Sequence, residues 1–86
     1  MNIIELISIV KKKLQEQIVI EDIIIEDKSF LHKKHPSHQN GKFHLKISIE
    51  SKKLKQFNRI DQNKIVHKIL EKELKNNIHS IQILIR

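Results

Sequence analysis

The chain contains no cysteine, alanine, threonine, tryptophan or tyrosine, and only one glycine and one proline. Without cysteine, disulfide frameworks, thiolate zinc sites, a catalytic thiol and any iron–sulfur cluster held by its own thiolates are excluded. One glycine excludes a glycine-rich phosphate loop. No apolar run exceeds three residues, which excludes a membrane-spanning helix. Glu5 and Lys11 to Lys13 interrupt the first apolar stretch, so no secretory signal is expected and a reducing cytoplasm is the expected address. With 86 residues the chain has one core, burying roughly 60 to 65 % of the surface exposed on unfolding. A large two-domain enzyme is ruled out, and a single domain over residues 1–86 is expected.

What is present is isoleucine and lysine. Ile supplies 18 of the 33 apolar residues and Lys 15 of the 17 basic ones, a pattern expected where AT-rich codons are favoured. The net charge of +7 therefore says less than its placement: residues 1–27 carry −3, residues 28–59 carry +8 and residues 60–86 carry +2. A positive middle third attracts nucleic acid, anionic cofactors or an acidic protein partner.

Periodicity orders the elements. Asn2 and Glu5 have capping-box spacing, and Ile3, Leu6, Ile7, Val10 and Leu14 follow at helical spacing to about Gln17. From Ile18 to Asp27 the Ile and Val content predicts a first strand, covered on much of both faces. Residues 28–41 hold the only Pro and the only Gly and read as a connecting loop. Phe43, Leu45, Ile47 and Ile49 alternate with polar residues, predicting a half-buried strand. A basic connector with a short helical turn, Ser51 to Arg59, leads to Asp61 as the expected N-cap of a helix. Ile65, Val66, Ile69, Leu70 and Leu74 form its stripe, and Asn76-Asn77 ends it. Ile78 to Ile85 alternates again, which puts His79 on the face of Ile81, Ile83 and Ile85. A loop between the first two strands makes them antiparallel, while the helix between the last two allows a parallel right-handed crossover. The expected class is α+β: a mixed three-stranded sheet with helices on one face.

The stretch Ser29-Phe30-Leu31-His32-Lys33-Lys34-His35, the strand motif Phe43-His44-Leu45-Lys46-Ile47, the helix segment Leu70-Glu71-Lys72-Glu73-Leu74 and the signature Ile78-His79-Ser80-Ile81 resemble the BolA family in order and spacing. The resemblance runs over roughly residues 5–86 and implies an αββααβ fold like the second class of KH domains. It also implies partnership with monothiol glutaredoxins and a role in iron–sulfur cluster handling or iron homeostasis; some family members are described as transcription regulators. The chain departs from the family at two places. Gln62-Asn63-Lys64 stands where Arg-His-Arg is usual, and Ser51 to Gln56 lacks the usual Phe-x-Gly. Both fall where nucleic-acid contacts are proposed for the family.

Neutral imidazole is a good ligand for iron, and two histidines can replace two thiolates on one iron of a [2Fe-2S] centre. The resemblance implies a cluster shared with a glutaredoxin cysteine and a glutathione thiolate. It assigns His79 as the C-terminal ligand and a loop histidine, His32 or the runner-up His35, as the second, with His38 an outsider. The chain would hold no cluster alone and would be a monomer when free. Because only neutral imidazole ligates, mild acid should release the cluster. Each histidine also has a plain role. His79 could be half-buried and satisfied by a backbone carbonyl, the loop histidines solvated among lysines, His44 bonded across strands on the polar sheet face and His67 exposed on its helix.

The second class of function is nucleic-acid binding, as a DNA-binding transcriptional regulator using a KH-like or helix-turn-helix basic face. Lys46, Lys52, Lys53, Lys55, Arg59 and Lys64 are the candidate phosphate contacts. A single glycine leaves no Gly-x-x-Gly clamp, and three Phe with no Tyr or Trp leave little for base stacking, so weak, salt-sensitive binding is the expectation. An enzyme is not expected. No serine lies in a nucleophile-elbow context, and the doublets Glu21-Asp22 and Glu26-Asp27 split across opposite strand faces.

Overall fold

A computed structural model of the chain describes residues 2–28 and 43–86. Helix α1, Ile3–Gln17, starts where the Asn2 side chain accepts the Glu5 backbone N–H, and it turns Leu6, Val10 and Leu14 into the core. Strand β1 covers Asp22–Asp27 and β2 covers Phe43–Glu50. A 3-10 turn, Leu54–Gln56, precedes α2, Arg59–Ile69, and α3, Glu71–Asn76; β3, Ile78–Ile85, closes the fold. The sheet order is β1-β2-β3, antiparallel between β1 and β2 and parallel between β2 and β3, as the connection lengths require.

One face of the sheet carries the core. Ile23, Leu45, Ile47, Ile49 and Ile78 meet Leu6, Val10, Leu14, Val66 and Leu70 from the helices. The opposite face has no helix among the described residues. It shows Asp22, Ile24 and Glu26 of β1, Lys46 and Ser48 of β2, and Gln82 and Leu84 of β3. This corrects two expectations about the first strand. It starts at Asp22 because Ile18 caps α1, with its N–H on the Leu14 carbonyl. Among the described residues it is covered on one face only, and Ile24 is 48 % exposed.

The expected single helix after the basic connector is also different. Its N-cap is Asn58, not Asp61: the Asn58 side chain accepts the Asp61 N–H at 2.8 Å, and Asp61 sits in the first turn, where a carboxylate suits the helix dipole. At Leu70 the backbone leaves helical values (φ −98°, ψ 16°), splitting the helix into α2 and α3. Leu70 itself stays fully buried. The break sets Glu73 facing inward, 5 % exposed, where its Oε2 accepts the Lys13 ammonium at 2.6 Å and ties α3 to α1.

Candidate functional site

Site geometry follows from one irregularity in the β2–β3 ladder. Phe43 lies opposite Ile78, but His44 lies opposite Ser80, so one step along β2 matches two along β3. Such a bulge resets the alternation of side chains. Ile78 and Ile81 both serve the core side although they are three apart in sequence, Ser80 falls opposite His44, and His79 is the extra residue. The parity that grouped His79 with Ile81, Ile83 and Ile85 therefore fails at His79 itself, which is exposed.

His44 occupies the contrasting position. It is 7 % exposed, its Nδ1 shares a 2.6 Å hydrogen bond with Ser80 Oγ, and its ring centroid lies 4.8 Å from that of His79 at a tilt of 55°. The backbone around it is pinned. Lys28 N–H donates to the His44 carbonyl at 2.7 Å, and Phe43 N–H donates to the Asn77 carbonyl, at the end of α3, at 2.9 Å. One histidine is thus built into the sheet and holds the flank of a second whose ring faces water. Sequence reasoning gave His44 its cross-strand bond but missed its contact with His79, because nothing in the alternation of β3 announces the bulge.

His32, His35 and His38 lie outside the described residues. The described chain stops at Lys28 and resumes at Phe43; Lys28 is bonded to the His44 carbonyl on the β1 side of β2, and Phe43 lies opposite Ile78 on the β3 side. His67 is exposed on α2, its ring bonded to the Asn63 carbonyl oxygen at 2.7 Å. Among the described residues no three His, Asp or Glu side chains gather into a metal-binding group. This donor set fits a partial contribution to a metal centre, one exposed imidazole, and does not fit a resident ion held by the described residues alone.

The six candidate phosphate contacts do not share one surface. Lys46 stands on the open sheet face, in register with Glu26 and Gln82, whereas Arg59 and Lys64 belong to α2 on the other face, and Lys52, Lys53 and Lys55 to the connector. Two residues of the Gln62-Asn63-Lys64 triplet bond to the backbone. Gln62 Nε2 donates to the Leu54 and Phe57 carbonyls at 3.0 Å each, and Asn63 Nδ2 donates to the Arg59 carbonyl.

A family model described as BolA-like protein matches residues 14–86. The chain belongs to the BolA-like family. Among solved structures it is similar to BolA1 from Arabidopsis thaliana, at 26 % identity and a TM-score of 0.76 over 92 % of this chain and 87 % of that one. The BolA domain of SufE1 from the same plant matches at 20 % identity and a TM-score of 0.78, over 92 % and 87 % of the two chains. BolA1 from Mus musculus matches at 18 % and 0.72, over 90 % and 60 %. No curated protein matches. Membership of the BolA-like family agrees with the observed fold.

Proposed function

We propose that this BolA-like chain is a non-enzymatic adaptor that docks on a monothiol glutaredoxin and completes a glutathione-containing [2Fe-2S] cluster. Its role is then cluster transfer or iron homeostasis. The observation that carries this reading is the exposed His79 ring at the bulge, with no hydrogen bond to any described residue. His79 would supply one imidazole and His32 or His35 the second. The segment bearing the loop histidines is anchored at Phe43, opposite Ile78, and at Lys28, bonded to the His44 carbonyl on the β1 side of β2; His32 is four residues from Lys28, within about 14 Å of extended chain. The cluster supplies electron storage and transferable iron and sulfide. The chain's own part is to present neutral imidazole, to fix the base of His79 through the His44–Ser80 contact, and to bring positive charge to an acidic thiol peptide and its protein.

The test mixes the protein with monothiol glutaredoxin, glutathione, iron and sulfide and follows visible absorption. His79→Ala should keep its circular dichroism and lose most of the cluster absorption; an unchanged spectrum would remove His79 from the ligand set. Acidification should bleach the wild-type complex before glutaredoxin's own glutathione-bound cluster, because protonated imidazole cannot ligate. Equal acid sensitivity of the two would point to thiolate-only ligation. Sequence-selective binding to duplex DNA that survives physiological salt would replace this reading with the regulatory one.

A further inference from the structure

The two edges of the sheet are defended unequally. Edge strands present unpaired backbone groups, and proteins blunt them with charge, proline, shortness or a covering element. Strand β1 follows that rule: within six residues it carries Asp22, Glu26 and Asp27. Strand β3 does not. Its eight residues, Ile78–Ile85, include no Lys, Arg, Asp, Glu or Pro, and its bulge lies at one end.

The backbone of that edge can be assigned. Arg86 N–H donates to the Ile49 carbonyl at 2.7 Å, and Ser51 N–H donates to the Arg86 carbonyl at 3.3 Å, so both polar groups of Arg86 face β2. Alternation in a parallel ladder then turns both groups of Leu84 and Gln82 toward β2, and those of Ile81, Ile83 and Ile85 outward. No described strand pairs with them. Beside this edge an open cleft of about 320 Å³ runs between β3 and α2, lined by Ile83, Leu84, Ile85, Arg59, Gln62 and Asn63. Leu84, whose side chain belongs to the open sheet face, is 43 % exposed.

Charge selects the occupant. Arg59 lines the cleft, and Lys52 and Lys53 follow Ser51, which is bonded to the end of β3; none of the three has an ion-pair partner among the described residues. A second copy of the chain would bring another +7 and be repelled. We propose that the outer edge of β3 is a strand-addition site for an extended acidic segment of a partner protein. The segment pairs with Ile81, Ile83 and Ile85, sets apolar side chains against Ile83 and Ile85, and places carboxylates on Arg59, Lys52 and Lys53. The proposal concerns the edge alone and does not depend on a cluster.

The experiment titrates the 15N-labelled full chain with an acetylated, amidated peptide of alternating Glu and Val. Its controls are a Lys and Val counterpart and versions of the acidic peptide N-methylated at alternate residues in either register. The acidic peptide should slow hydrogen exchange of the Ile81, Ile83 and Ile85 amides about tenfold at saturation, and one N-methylated register should abolish this. Arg59→Glu, placed where a carboxylate suits the N-terminus of α2, should keep the fold and weaken binding about fivefold. Shifts confined to lysines, equal binding of both N-methylated peptides, concentration-dependent protection without peptide, or protection by a single-stranded oligonucleotide but not by the peptide would each overturn it.

Discussion

Between β1 and β2 the ladder runs unbroken from Asp22 opposite Glu50 to Asp27 opposite Leu45, whereas between β2 and β3 it slips where Phe43 gives way to His44. The first pair is regular and its residues keep the two-residue alternation: buried Ile23 alternates with exposed Ile24. The second pair is regular only beyond the slip. Before it, the chain keeps Ile78 in the core and releases His79 to solvent in the same two residues. Regular pairing builds stability, and the irregular step lets a polar ring leave the ladder without taking an apolar neighbour with it.

Substitutions can separate these roles. The largest effect should come from Ile47→Ala, since Ile47 is fully buried and lies opposite both Ile25 and Ile83. A loss of about 2 to 5 kcal/mol is expected in urea denaturation. A loss below about 1 kcal/mol would mean that the two ladders do not share one core. Removing Ser80 from the chain sharpens the comparison further. The β2–β3 ladder would then run without a slip, Ile78 would stay opposite Phe43, and His79 would fall directly opposite His44. The cost in stability should be about 1 kcal/mol, the worth of the Ser80–His44 hydrogen bond, while cluster absorption with glutaredoxin and glutathione should drop severely. Full absorption from the shortened chain would show that the bulge is not what presents His79. The smallest effect belongs to Ile24→Thr on the open face of β1, expected within about 0.5 kcal/mol of wild type. A larger loss would show that this face is covered after all.

Much of the architecture could be read before any coordinates. The stripe of Leu6, Val10 and Leu14 and the alternation of Phe43 to Ile49 are direct consequences of which side of each element meets water. The Asn2 cap was legible too. The second cap differs from the expected Asp61: Asn58 accepts the Asp61 N–H and starts the helix at Arg59. The break at Leu70 had no local mark, since neither glycine nor proline stands there. Beyond it, Glu73 of α3 meets Lys13 of α1. For the candidate site, family resemblance points to His79, whereas strand alternation gives its neighbour His44 only a hydrogen bond. Their 4.8 Å approach joins residues 35 apart in the chain and depends on a register slip between their strands.

The sequence by itself determined the class of fold, the order of strands and helices, and the absence of any thiolate ligand, because periodicity, loop length and the lack of cysteine are properties of the chain alone. The tertiary structure decided which histidine is exposed, which is locked against Ser80, and which sheet edge has no partner among the described strands. Those outcomes depend on register and on what lies across the ladder, and a residue's neighbours in space are not written in its neighbours along the chain.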